Sequence, residues 1–386
     1  MPFLSELQLN QFRNIPSAHL APSPFVNIIY GDNGSGKTSL LEAISVIAHG
    51  RSFRTNKYRY LINKDVDEFT LFAKSISSSV QPEESTIGVQ KDRKGVTHIR
   101  VNKEKVLSAL PLARNLPLLT IDGHVFLLLE GGSKERRQFF DWLVFHVKHD
   151  FGHIWKEYTK CIKQRNSLLR HDKIDYAQVL PWDREIARLA VVIESSRKQC
   201  FSIFTGFLAQ YLHACDFSDF EVSVEYKNGW KLTLGDAEFE ECTILESLRE
   251  HFPKDCALGY TNIGSHKSDL SISIDRKKSS DILSRGQQKV LICAMYLSLA
   301  ATLKQEKDKN TVFLLDDLPA ELDDYHLSLV GGWISELGLQ TFISAVDDIS
   351  VRAAWSFINV DNCSMFHVKH GEINQHNYKA LIMGSN

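Results

Sequence analysis

The chain has 386 residues, 43% hydrophobic and 24% charged, with 45 lysines and arginines against 47 aspartates and glutamates, a net charge of −2. That balance describes a globular chain long enough for two or three domains, and it excludes a globally basic coat, so a nucleic-acid partner needs a local basic surface. Seven scattered cysteines with no C-x-x-C pair argue against a zinc site or a disulfide framework and for a reducing cytoplasm; no stretch nears the roughly 18 apolar residues of a membrane span, so no membrane partner is expected.

Phe3 to Phe12 alternates Leu7 and Leu9 with Glu6, Gln8 and Asn10, which predicts an antiparallel edge strand. Phe12, Arg13 and Asn14 turn it toward a second, mostly apolar strand over Phe25 to Tyr30. The next eight residues, Gly31, Asp32, Asn33, Gly34, Ser35, Gly36, Lys37 and Thr38, match the phosphate-loop pattern G-x-x-x-x-G-K-[ST] at every fixed position. The glycines let the backbone turn its N–H groups toward one anion, beside the positive end of the following helix. Lys37 is expected to reach the β- and γ-phosphates, and the Thr38 hydroxyl to ligate Mg²⁺. Leu40, Leu41, Ala43, Ile44, Ile47 and Ala48 recur at helical spacing before Gly50 stops the helix.

Gly50 to Lys64 carries Arg51, Arg54, Lys57, Arg59 and Lys64 with no carboxylate, interleaved with Phe53, Tyr58 and Tyr60. Such a stretch suits nucleotide phosphates or a DNA backbone, or is simply a solvated basic face. Phe69 to Val101 reads as three short strands of an antiparallel meander, with a second basic set in Lys91, Arg93, Lys94, Arg100, Lys103 and Lys105. From Lys134 helical periodicity takes over: Phe139, Leu143, Val147, Phe151, Ile154, Tyr158 and Ile162 form one run, and Pro181 opens a second, so two long helices should pair antiparallel. Val222 to Tyr226 and Trp230 to Leu234 predict a hairpin turned at Asn228 and Gly229, and Thr243 to His251 a short helix. The pentapeptide FHVKH occurs at Phe145 and again at Phe366, a coincidence.

Two blocks follow. Ser284, Arg285, Gly286 and Gln287 sit in an L-S-x-G-Q stretch leading into an apolar helix, where a serine and N–H groups at a helix start make another anion site. Val312 to Leu315 reads as a buried parallel strand ending in Asp316 and Asp317. A carboxylate at such a tip, beside the phosphate loop, can hold Mg²⁺ through its water shell, and the next one can orient or deprotonate the attacking water.

In this order, GDNGSGKT, LSRGQ and FLLDDLPAELD resemble the ABC-type ATPase heads of the SMC, Rad50 and RecF group. GRSFRT, EGGSKERRQFFDW, QRNSLLR and LSRGQQK narrow the resemblance to the RecF family over nearly the whole chain. The resemblance implies an α/β fold: an ABC-type P-loop ATPase head over residues 1–130 and 256–386, with an inserted, mainly helical lobe over 131–255 built on a short antiparallel helix pair. It implies that ATP and Mg²⁺ bind, that catalysis rests on Lys37, Asp316 and Asp317, and that Ser284, Gly286 and Gln287 of one chain complete the site of a second. The expected protein is an ATP-dependent homodimer and weak ATPase, with hydrolysis coupled to dimer dissociation and DNA release. It would bind gapped or duplex/single-strand junction DNA through residues such as Arg51, Arg54, Lys57 and Arg59, and would work with RecR and RecO to load RecA. Departures include GSHKSDL at Gly264 to Leu270, where the family has a proline after the glycine, and the lack of a histidine after the strand in QTFISAVDD. A transporter-type nucleotide-binding subunit or a Rad50-like tether are the alternatives; the short helical pair and the missing histidine oppose them.

Overall fold

The computed structural model describes residues 3–76, 83–171, 173–215, 217, 220–230, 239–320, 322–347, 351 and 363–377. In chain order these form β1 (Phe3–Phe12), β2 (Ile15–Leu20), β3 (Val26–Tyr30), α1 (Lys37–His49), β4 (Glu68–Ile76), β5 (Glu84–Asp92), β6 (Thr97–Val101), β7 (Glu104–Val106) and α2 (Leu110–Asn115). There follow β8 (Leu118–Ile121), α3 (Leu127–Glu130), α4 (Ser133–Val147), α5 (Phe151–Leu168), α6 (Tyr176–Ala214), β9 (Val222–Lys227) and α7 (Glu241–Leu258). The chain continues with β10 (Asp269–Ile274), β11 (Lys277–Lys278), α8 (Ser279–Ile282), α9 (Arg285–Lys307), β12 (Val312–Leu315), α10 (Asp324–Leu337), β13 (Gln340–Ala345), β14 (Cys363–Lys369) and β15 (Glu372–Asn377). The two FHVKH segments differ: one ends α4, the other lies on β14.

Two compact units emerge, one from residues 1–125 with 285–386 and the other from 126–284. The second reaches further along the chain than 131–255, because β10 pairs antiparallel with β9 from Asp269↔Lys227 to Ile274↔Val222 and so ties residues 269–274 to the helical part.

The first unit contains two six-stranded sheets. One is antiparallel in the order β2-β1-β4-β5-β6-β7. Here β1 lies inside the sheet, paired with both β2 and β4, and is not the edge strand its alternation suggested. Alternation reports one buried face and says nothing about neighbours, and β2 escaped notice because Pro16 and Ser17 interrupt its pattern. The other sheet has the order β15-β14-β3-β13-β12-β8, parallel except for β15. Helix α1 joins the two: Leu41, Ile44 and Ile47 share one core with Leu7, Leu71 and Ile87 of the first sheet and Ile29 and Phe342 of the second. Burying each such side chain contributes roughly 1.5–3 kcal/mol, and truncating one to alanine costs about 2–5 kcal/mol.

The second unit is mainly helical, with the small sheet β11-β10-β9. The expected single run from Lys134 divides at Lys148–Asp150 into α4 and α5. Helices α5 and α6 are antiparallel, since Arg165 near the end of α5 meets Asp183 near the start of α6, while Arg197 further along α6 lies over the rings of Phe151 and Trp155 at the start of α5. Helix α6 begins before Pro181, at Tyr176, where Gln178 Oε1 accepts from the Asp175 N–H at 3.2 Å. Proline therefore sits inside the second turn, where it removes one intrahelical bond, instead of opening the helix. The anticipated second arm of the hairpin, 231–234, lies outside the described residues; β9 pairs with β10.

Buried ion pairs replace part of this unit's apolar core. Arg165 donates to Asp183 and Asp255 at 2.6 Å each, all three fully buried. Arg197, also buried, forks onto Asp141 with two bonds of 2.9 Å and donates to the Ser265 carbonyl at 2.9 Å. Pairs of this kind hold helices in one register, and removal of one partner leaves a buried charge uncompensated.

Candidate functional site

Strand β3 ends at Tyr30 and delivers Gly31 to the phosphate loop. Gly31 has φ 147°, and a Cβ there would stand 2.2 Å from the Val368 carbonyl of the neighbouring strand, so only glycine fits. Gly36, at φ 124°, is packed under Asn14, whose amide would lie 2.9 Å from an added Cβ. Asn14 ties the loop to the start of α1: its Nδ2 donates to the Ser35 carbonyl at 2.9 Å and its Oδ1 accepts from Ser39 Oγ at 2.8 Å. Gly371 N–H also donates to the Ser35 carbonyl, at 2.9 Å.

The buried Lys37 ammonium turns back over the loop and donates to the carbonyls of Gly31 at 2.7 Å and Asp32 at 3.1 Å. Among the described residues, the buried Ser35 hydroxyl has no hydrogen-bond partner. A loop of N–H groups at a helix start, a buried ammonium and an unpaired buried hydroxyl form a donor set that fits a phosphate.

Asp316 and Asp317 follow β12. Strand β13 lies between β3 and β12, so the two aspartates do not come from the strand next to the phosphate loop. They reach the loop nonetheless: Thr38 Oγ1 donates to Asp316 Oδ1 at 3.2 Å. The intervening strand contributes Ser344, which donates to Asp316 Oδ1 at 2.7 Å and accepts from the Asp317 N–H at 2.9 Å. Asp317 adopts φ 53°, a left-handed conformation rare outside glycine, and the Ser344 contact holds it there. Burial pushes the Asp316 pKa up, the Ser344 and Thr38 hydroxyls oppose this, and the carboxylates of Asp317 and Asp122 reinforce it. A hydroxyl facing a carboxylate, in surroundings whose burial penalises unbalanced negative charge, suits a hard divalent cation such as Mg²⁺.

Sequence reading missed Ser344 and Asn14. A serine in the buried strand QTFISA gave a weak signal, and its role emerges only from the strand order.

Glu42, buried on α1, receives Arg13 at 2.5 Å and Ser52 Oγ at 2.6 Å. Ser52 Oγ in turn accepts from the N–H groups of Arg54 and Thr55 at 3.0 and 3.1 Å. The basic segment is thus moored to the helix that starts at the phosphate loop, with Arg51, Arg54, Lys57 and Arg59 all exposed. Its aromatics are partly engaged: Lys57 lies over Tyr60 and Lys91 over Tyr58. Ser284 is exposed immediately before α9, and Gly286 and Gln287 lie in its first turn, where a Cβ on Gly286 would meet nothing within 4 Å.

Comparison with known proteins identifies the family and the fold. The family model for the RecF/RecN/SMC N-terminal domain matches residues 3–371. The DNA replication and repair protein RecF of Saccharophagus degradans is 46% identical over 374 residues, covering 97% of this chain and 99% of that protein. That of Teredinibacter turnerae is 45% identical over 376 residues, covering 97% and 96%. Among solved structures, that of the recombination mediator protein RecF with ATP in the RecFOR pathway superposes with a TM-score of 0.83 at 24% identity, covering 97% of this chain and 98% of that one. An Smc head bound to the C-terminal winged-helix domain of ScpA superposes at 0.57 and 14% identity. Both structural likenesses show the fold, an ABC-type ATPase head of mixed α/β architecture.

Proposed function

Because this chain belongs to the RecF family of DNA replication and repair proteins, within the wider RecF/RecN/SMC group, we propose that it is an ATP-dependent DNA-binding recombination mediator. The apposition of Thr38 and Asp316 carries the reading, because it joins two distant sequence motifs into one place for a metal-bound triphosphate. Lys37, Ser35 and the loop N–H groups hold the phosphates. Thr38 and Asp316 would hold Mg²⁺, which when bound would offset the negative charge of the triphosphate. Asp317, with its backbone fixed by Ser344, orients the attacking water and accepts its proton; a short aspartate arm suits a weak ATPase.

Ser284, Gly286 and Gln287 of a second copy close over the γ-phosphate, so ATP acts as the ligand that favours the dimer, and hydrolysis releases it from DNA. Arg51, Arg54, Lys57 and Arg59 supply the basic surface for duplex or gapped junction DNA. The mediator role with RecR and RecO in loading RecA rests on family membership, as does a cytoplasmic location.

Lys37→Ala tests the assignment. It should abolish ATP binding and, with it, ATP-dependent DNA association, while the unmutated protein loses DNA affinity steeply as salt rises. Survival of both activities in the variant would overturn the site, and a flat salt dependence would remove the basic segment from the DNA surface.

A further inference from the structure

The antiparallel sheet of the first unit has one face on the core and one toward solvent, and the solvent face is not uniform. Phe72 pairs with Gly88, Gly88 with Arg100, and Arg100 with Lys105, so these four residues form one row across β4, β5, β6 and β7. Gly88 leaves a gap in this row, since a Cβ there would meet nothing within 4 Å. A cavity of about 620 Å³ opens over it, lined also by His98 and Lys103 and, among the described residues, by no carboxylate. His98, Arg100, Lys103 and Lys105 are exposed, and among the described residues none of them forms an ion pair. The type I′-like turn at Asn102 and Lys103, both at positive φ, presents the Lys103 side of the hairpin beside the cavity.

We propose that this groove is a docking site for a short acidic peptide of a partner protein, with carboxylates at one end and an aromatic residue about three positions away. Its cations lie on β6, β7 and their turn, and its half-buried aromatic lies two strands away on β4. Two strand spacings are roughly 10 Å, the span of about three extended residues, so the peptide crosses the strands with its ring against Phe72 over Gly88 and its carboxylates on Arg100 and Lys105.

The charge pattern favours a peptide over nucleic acid. Along the strands the basic patch is bounded by carboxylates on both sides: Glu68 and Asp92 form the pair at one end, and Glu6 and Glu84 flank Lys74 toward the other. A continuous phosphate backbone running along the strands would leave the cations and meet these acids. Across the strands it would meet Arg100 and Lys105 at one end, then Phe72 and Gln8, and at the far end His19 held against the Glu6 carboxylate. A ligand with its charge confined to one end suits that pattern.

Fluorescence anisotropy on the full chain tests this, with a fluorescein-labelled Glu-Asp-Ser-Gly-Phe-amide peptide, the same peptide with alanine for phenylalanine, and a labelled hexathymidylate. The peptide should bind, lose at least tenfold in affinity on the phenylalanine replacement, and lose at least tenfold on R100E. G88L should weaken it as much by filling the gap without strain, while ATP binding and the melting curve of both variants stay unchanged. Absence of peptide binding, or peptide affinity unaltered by G88L and R100E, would overturn the proposal. Tighter binding of hexathymidylate that displaces the peptide would also overturn it and make the groove a nucleic-acid surface.

Discussion

The Thr38 hydroxyl lies 3.2 Å from a carboxylate oxygen of Asp316, although 278 residues separate the two in sequence. Both sit at ends of elements whose direction is fixed by one sheet: Thr38 in the first turn of the helix after β3, Asp316 just past β12. In the proposed site the pair binds the metal through charge on Asp316. Asp316→Asn keeps a group able to accept from Thr38 and removes that charge, so Mg²⁺-dependent ATP affinity should fall at least tenfold in a titration with a fluorescent ATP analogue. The affinity measured without the metal should change little. Equal loss with and without Mg²⁺ would assign Asp316 to nucleotide binding alone.

Ser344→Ala probes the link between the two aspartates. It removes the acceptor of the Asp317 N–H and the shorter donor to half-buried Asp316, which keeps only Thr38; losing partly exposed hydrogen bonds of this kind costs about 0.5–1.5 kcal/mol. Thermal unfolding should register that loss. Turnover of ATP should drop about tenfold more than affinity for it, because Asp317 is no longer held in its left-handed conformation. Unchanged turnover would place the serine outside the chemistry.

How far these contacts were legible in the sequence differs from residue to residue. The phosphate loop and the strand ending at Asp316 could be read because short-range chemistry dictates them: glycines where the backbone must turn, and a buried apolar run before an acid. Ser344 could not, since its importance comes from β13 lying between β3 and β12, a fact of strand order with no local signature. The interior position of β1 was hidden for the same reason. Pro181 misled because its cost is local, whereas the capping contact of Asp175 with Gln178 and the packing along α6 are collective. The mooring of the basic segment through Glu42 was equally invisible, because the glutamate lies on a helix whose spacing announces only its apolar face.

His266 sets an acid limit on the second unit. Its Nδ1 faces the Tyr158 hydroxyl at 3.1 Å and its Nε2 the Thr261 carbonyl at 3.1 Å, an arrangement met by the neutral ring with the proton on Nε2. Burial, aided by the positive charges of Lys267, Arg137 and Arg165 and opposed by the Thr261 carbonyl, lowers its pKa from 6.5 to about 4. A depressed pKa means that the unfolded chain takes up the proton first, so this stability is complete above pH 6.5 and is lost as pH falls toward 4. Between pH 7 and pH 4.5 the group should cost about 2 kcal/mol of unfolding free energy. Denaturant titrations should show a pH dependence smaller by about that amount in His266→Gln; equal dependence would remove the histidine as its source.

In the proposed mechanism the phosphate loop is half of a site whose other half comes from a second chain. Sedimentation velocity with and without ATP, Mg²⁺ and gapped duplex DNA measures it most directly. ATP should convert the protein to a dimer that co-sediments with the DNA. Lys37→Ala should stay monomeric without binding ATP, whereas Ser284→Arg should stay monomeric while still binding it. Dimers that form without ATP, or that persist with ATP in Ser284→Arg, would rule out a nucleotide site shared between two chains.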